Sequence, residues 1–323
     1  MNKALAWLST DAGREFCKYT VGAVSACAYC VVYFPHTFCI KQYKQFVQMY
    51  NEGQEVPVSE KLKKQFSEVL SDLKVMKLES KLIKPFMVTG FDLYRMGSTF
   101  SRLGSYIGLP INFEYTDPAL IETSRILIKQ EPVSWSQPAA KSLLESLVLS
   151  ENAQKYGIAR EVLRLQTNEV VATSICAPLT IIATYEACKK INNRFNLHQG
   201  PRSLRVILYL VTGSFVASLW LTVKDFITIR IEKDCDQTIA ELGPEYVHGG
   251  LEFYDKMMKR NMALRTLLGE EGKKVFTVNG NEQFFIRQKR LPLFIRKEFF
   301  EKKLQELEAT ALQNWESHLD FQA

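Results

Sequence analysis

The chain has 323 residues, 24% of them charged, with a net charge of +6 and a mean hydropathy of −0.11. It is too polar for a polytopic channel and long enough for about two domains, which fits a membrane-anchored protein with large water-exposed parts. Net charge is +1 over residues 1–40, +2 over 41–169, +4 over 186–205 and −1 over 224–323, so no water-exposed part carries the basic footprint of nucleic-acid binding.

Residues 1–18 form a short N-terminal segment. Tyr19 to Ile40 is an uncharged apolar run of 22 residues between Lys18 and Lys41. As a helix it would span about 33 Å, against a hydrocarbon core of roughly 30 Å. Its length and the long segment before it favour a signal-anchor over a cleaved signal, and Pro35 and His36 mark its outer end. Six of the seven cysteines, Cys17, Cys27, Cys30, Cys39, Cys176 and Cys188, lie in or beside apolar runs, and Cys235 stands alone. A disulfide framework is not indicated, and Cys27-x-x-Cys30 reads as small residues that let membrane helices pack.

Residues 41–169 read as one mixed α+β region. Ser59 can cap a helix with Leu62, Phe66, Val69, Leu70 and Leu73 on one face. Ser105 to Tyr115 and Arg125 to Trp135 have strand character. Pro138 opens the next helix, and Ser150 caps a longer one expected to run into a second apolar segment.

Val170–Tyr185 and Val206–Val223, of 16 and 18 residues, carry no charge. Between them lie Lys189, Lys190, Arg194, Arg202 and Arg205 against Glu186 alone. A buried helical pair is the alternative, but the basic loop favours a membrane hairpin over 170–186 and 206–223. Loops rich in Lys and Arg stay on the side of insertion, which fixes 187–205 there. Residues 224–323 read as mainly helical. Gly243-Pro244 and Gly249-Gly250 are expected to break helices, Leu251–Leu268 is amphipathic, and Asn279-Gly280 makes a turn. A final helix carries Phe299, Phe300, Leu304, Leu307, Ala311 and Trp315.

The stretches LSENAQKYGIAREVLRL (149–165), LHQGPRSLR (197–205) and GGLEFYDKMMKRNMALRTLLGEEGKKVFTVNGN (249–281) resemble transmembrane protein 177, a family of the mitochondrial inner membrane. Residues 41–100 match it only loosely. The resemblance implies a multi-pass inner-membrane protein with a non-enzymatic role in cytochrome c oxidase biogenesis. It also implies association with newly made oxidase subunit two and its membrane chaperone, with no cofactor, small-molecule substrate or nucleic-acid partner. On this reading residues 1–18 and the basic loop face the matrix, and 41–169 and 224–323 face the intermembrane space. Phe253, Tyr254, Met257 and Met258 offer adaptable apolar area to a partner, although core packing competes for them.

More faintly, the same region is similar to membrane-integrated gluzincin peptidases, which carry LSEDELAAVLAHELAH before a hydrophobic segment. On that pattern Arg160-Glu161-Val162-Leu163-Arg164 occupies the H-E-x-x-H window, with both histidines replaced. A guanidinium has no free lone pair for a metal, so the resemblance implies a degenerate zincin-like core without zinc, formed by the regions flanking the hairpin. Glu161 would be a stranded base, Glu232, Asp234 and Asp236 would occupy the third-ligand region, and Gly108–Phe113 would be an edge strand. Arg160 or Arg164 is then expected to pair with Asp234 or Asp236. The histidines, His36, His198, His248 and His318, include no pair at ligand spacing, and the glycine break is expected to separate His248 from Glu252. The whole reads as a mainly helical α+β membrane protein with an N-terminal anchor and a membrane hairpin. A metallopeptidase-like hydrolase and a structural tether are the alternatives to an assembly factor.

Overall fold

The computed structural model describes residues 7, 10–123, 126–128, 131–197, 199–284 and 286–320. Most of the N-terminal 1–9, part of the predicted 125–135 strand, His198 and the side chains of Trp315 and His318 lie outside the described residues.

Helix α1 (Asp11–Tyr33) starts at Thr10, whose hydroxyl accepts from Gly13 N at 3.2 Å. Pro35 closes it in a 3-10 turn, Phe34–His36. Helix α2 (Ile40–Val47) follows, then the short hairpin of β1 (Tyr50–Asn51) and β2 (Gln54–Glu55). Ser59 caps α3 (Glu60–Asp72) through Leu62 N, and Leu62, Phe66 and Val69 are buried as their spacing predicts. After a single turn, α4 (Lys77–Ser80), comes a three-stranded sheet of β3 (Ile83–Val88), β4 (Tyr94–Gly97) and β5 (Ser105–Pro110). Strand β5 lies in the middle, parallel to β3 and antiparallel to β4. This corrects the expectation for Gly108–Phe113: β5 is the central strand, with Gly108 paired to both Phe86 and Tyr94 while Leu109 and Pro110 pair with β3 alone, and Ile111–Glu114 is a 3-10 turn. Strands β3 and β4 were not anticipated.

Strands β6 (Leu127–Ile128) and β7 (Glu131–Pro132) pair briefly before α5 (Pro138–Leu147) and α6 (Glu151–Leu165). Ser150 caps α6 through Ala153 N at 3.2 Å. Helix α6 does not run into the membrane segment as expected. Gln166 N reaches back to the Val162 and Leu163 carbonyls, and the Thr167 hydroxyl takes the Arg164 carbonyl at 2.7 Å, which ends the helix.

Helices α7 (Glu169–Arg194) and α8 (Arg202–Ala240), like α1, are long and apolar enough to cross a membrane, and α7 packs against both. The basic loop is shorter than 187–205, because α7 continues to Arg194 and α8 begins at Arg202. Helix α8 passes Val223 unbroken. Its 39 residues are about 58 Å long, so it reaches well past the apolar run and ends with Ile239 buried in the core.

Helix α9 (Pro244–Leu267) also departs from expectation, running straight through Gly249-Gly250. A Cβ on Gly249 would meet the Asn152 carbonyl oxygen at 2.2 Å, and one on Gly250 the Phe300 ring at 2.8 Å. These glycines serve close helix approach, and the helix tolerates them. After α10 (Glu270–Val275), the predicted turn at Asn279-Gly280 closes a single antiparallel bridge, Phe276 to Glu282. Helix α11 (Leu293–Asp320) is the last described element.

One hydrophobic core gathers both flanks of the hairpin: Leu62, Phe66, Met87 and Tyr156 from one side meet Ile239, Val247 and Phe300 from the other. Residues 41–100 are therefore no separate lobe. Each fully buried large apolar side chain in this core contributes roughly 1.5–3 kcal/mol.

Candidate functional site: a buried arginine–carboxylate network

Where α6, α7, α8, β4 and α11 meet, four arginines and four carboxylates converge. Arg160 and Arg164 lie one turn apart on α6 with Glu161 beside them. Glu161 accepts from Arg95 of β4 at 3.0 Å and from Arg160 at 2.8 Å. Glu169, in the first turn of α7 where the helix dipole favours an anion, takes Arg95 at 2.8 Å and Arg164 at 2.9 Å. Glu232 of α8 lies between Arg164 at 3.7 Å and Arg296 at 3.8 Å, and accepts Leu291 N at 2.9 Å. Asp236, one turn further, takes the guanidinium of Arg296 through two 2.7 Å bonds and the Tyr156 hydroxyl at 2.6 Å.

The network is electrically neutral, as burial demands: an unpaired ion would be penalised by several kcal/mol. Burial alone would raise the Glu161 carboxyl, but Arg160, Arg95 and Arg164 hold it well below the usual carboxylate range. Burial and the neighbouring Asp236 push the Tyr156 phenol well above its ordinary value, so it stays protonated and donates. Arg160 lies over the Phe253 ring at 5.0 Å and Arg296 over the Tyr254 ring at 4.6 Å. A cavity of about 260 Å³ opens beside the arginines.

The structure thus brings Arg160, Glu161, Arg164 and Asp236 together, but not in the expected pairs. Arg164 meets Glu169 and Glu232, and Arg160 meets Glu161. Asp234 points elsewhere. On a helix it is about 200° around from both Glu232 and Asp236, so its side chain is 52% exposed and pairs with Arg230 at 3.2 Å. Phe253 and Tyr254 are core residues, whereas Met257 and Met258 are half-buried. His248 and Glu252 share α9 after all, with His248 exposed and Glu252 accepting from Ser150 N at 2.9 Å.

Sequence reasoning missed Arg95, Glu169 and Arg296 as members of the network. Arg296 left a signal: it falls one turn before Phe300 and two before Leu304, a cation on the apolar stripe of its helix.

Chemically, the arrangement joins α6, α7, α8, β4 and α11 through ion pairs. Guanidinium groups do not ligate metals, and a carboxylate held as low as Glu161 is a poor general base near neutral pH. Among the described residues no three His, Cys, Asp or Glu side chains converge to hold a metal ion.

Residues 87–306 match the family model described as Transmembrane protein 177. The chain belongs to the transmembrane protein 177 family. It is 34% identical over 257 residues to transmembrane protein 177 of Homo sapiens, covering 78% of this chain and 80% of that protein. The relative from Mus musculus is 33% identical over 255 residues, with 78% and 80% covered, and that from Danio rerio 30% over 250, with 77% and 80%. No solved structure matches. The transmembrane protein 177 match runs from Met87 in β3 to Glu306 in α11, so it spans all eight charged groups of the network and both helices of the hairpin.

Proposed function

We propose that this membrane protein is a non-catalytic factor of cytochrome c oxidase biogenesis in the mitochondrial inner membrane. It associates with newly made subunit two and its membrane chaperone and steadies that intermediate, as the family resemblance implies. The observation that carries the non-catalytic reading is the neutral, buried network. Its carboxylates are committed to arginines, and the arginines tie the membrane helices α7 and α8 to the water-exposed core.

The topology follows the charges. Residues 41–169 and 224–323 share one core and so lie on one side of the bilayer, the intermembrane space. The basic loop and residues 1–18 lie on the other, in the matrix, which makes a three-span protein. Phe253 and Tyr254 are taken up by the core, which leaves the half-buried Met257 and Met258, with the lipid-facing hairpin, as the partner surface.

Pulse labelling of mitochondrial translation in cells lacking the protein tests the role. Subunit two should decay faster than the other mitochondrially encoded subunits, and equal decay of all would refute it. Protease added after rupture of the outer membrane should digest both large regions; survival of the C-terminal region would refute the topology.

A further inference from the structure

The cavity beside the network is lined by all four of its arginines but by only two of its carboxylates, Glu161 and Glu232. It also draws Lys256, Arg260 and Arg290 against Asp92 and Glu282, so seven basic side chains face four acidic ones. Lys256 Nζ rests on the Glu145 carbonyl at 2.7 Å and meets no carboxylate among the described residues. Arg260 donates to the Phe91 carbonyl at 3.0 Å and to Asp92 at 2.8 Å, yet Asp92 is 73% exposed, so water screens that pair. The Nε–H of Arg260 is buried with no acceptor among the described residues, an omission that a bound oxygen would relieve. Phe113, Leu147, Phe253 and Met257 supply an apolar wall.

We propose that this cavity is a binding site for a phosphate-type oxyanion of headgroup size, held by Lys256 and Arg260 with Arg160 in the same wall. At about 260 Å³ it is smaller than the pockets of drug-sized ligands, and guanidinium forks match phosphate oxygens. Two sources share this chemistry: a soluble phosphate ester and a phospholipid headgroup. The second is within reach because Glu232, on the cavity wall, lies only about 13 Å of helix beyond Val223. The site stands independently of the oxidase reading, which pulse labelling tests separately.

The test uses the full chain in detergent and in nanodiscs. Glycerol 3-phosphate is titrated against thermal stability, and retained lipid is measured by native mass spectrometry from phosphatidylcholine nanodiscs with and without phosphatidylglycerol. Lys256→Gln removes the charge but keeps a donor for the Glu145 carbonyl, and Arg260→Lys keeps the charge but removes the Nε donor. Circular dichroism and unliganded stability establish that both fold. A saturable response to glycerol 3-phosphate, weakened about tenfold or more in both variants, identifies a soluble ligand. Selective retention of phosphatidylglycerol by wild type, lost in both variants, identifies a headgroup. Binding of neither probe, or equal binding by wild type and variants, overturns the proposal.

Discussion

Arg296 lays its guanidinium flat against Asp236, Nε to Oδ2 and Nη2 to Oδ1, both at 2.7 Å, so the last helix grips the membrane helix α8. Both side chains are almost fully buried. A bidentate pair of this kind fixes angle as well as distance.

Replacing Arg296 by Met should therefore leave buried Asp236 without a cation and Glu232 with Arg164 alone, and destabilise the protein by roughly 3–5 kcal/mol. Adding Asp236→Leu should recover part of that loss. Chemical unfolding in detergent measures it, and single-mutant effects that merely add would show that the pair is not coupled.

Asp234→Asn should change stability by less than about 0.5 kcal/mol, because its pair with Arg230 is exposed and within one helix. Glu232→Gln, two residues earlier, should be far more damaging. The two variants compared in one melting experiment separate the buried face of α8 from its wet face, and equal effects would contradict the placement.

The depressed Glu161 carboxyl gives stability a definite pH dependence. Its folded-state value lies below its ordinary 4.5, so its contribution is fully present above that pH and is lost as the pH falls below it. Unfolding midpoints followed from about pH 5 to about pH 2 should drop steeply in wild type and less steeply in Glu161→Gln. Parallel slopes would place the acid sensitivity elsewhere.

Gly249→Ala should force α6 and α9 apart, since the new methyl would sit 2.2 Å from the Asn152 carbonyl oxygen. Overpacking of this kind costs about 1–3 kcal/mol or more. Gly213→Ala, in the membrane part of α8 with nothing within 4 Å, should be neutral or mildly stabilising and serves as the control.

The elements whose signals are local were legible in the sequence: the caps at Ser59 and Ser150, Pro138 at the head of its helix, and the two uncharged runs inside α7 and α8, whereas the first run, expected as a helix over Tyr19–Ile40, belongs to a helix that starts at Asp11 and ends at Tyr33. What failed was decided by distant partners. Gly249-Gly250 reads as a break until Asn152 and Phe300, supplied by other helices, are seen against it. Strand β5 became central only because β3 and β4, whose sequences carry no clean alternation, pair with it on both sides. The acidic cluster on α8 was found, but which of its members turned inward depended on helical phase. Its arginine partner came from α11, a helix read only for its apolar face.

The shared core also imposes an order of events during synthesis. Asp236 must wait for Arg296, 60 residues downstream, and the core for Phe300 on the same last helix. A chain halted before α11 emerges would hold a finished membrane hairpin joined to an open, charge-bearing interior. Such a chain leaves exposed the apolar surface that Phe300 would cover, the condition that makes folding intermediates prone to aggregate. Arrival of the C-terminal helix is thus the step that converts an inserted polypeptide into a durable one.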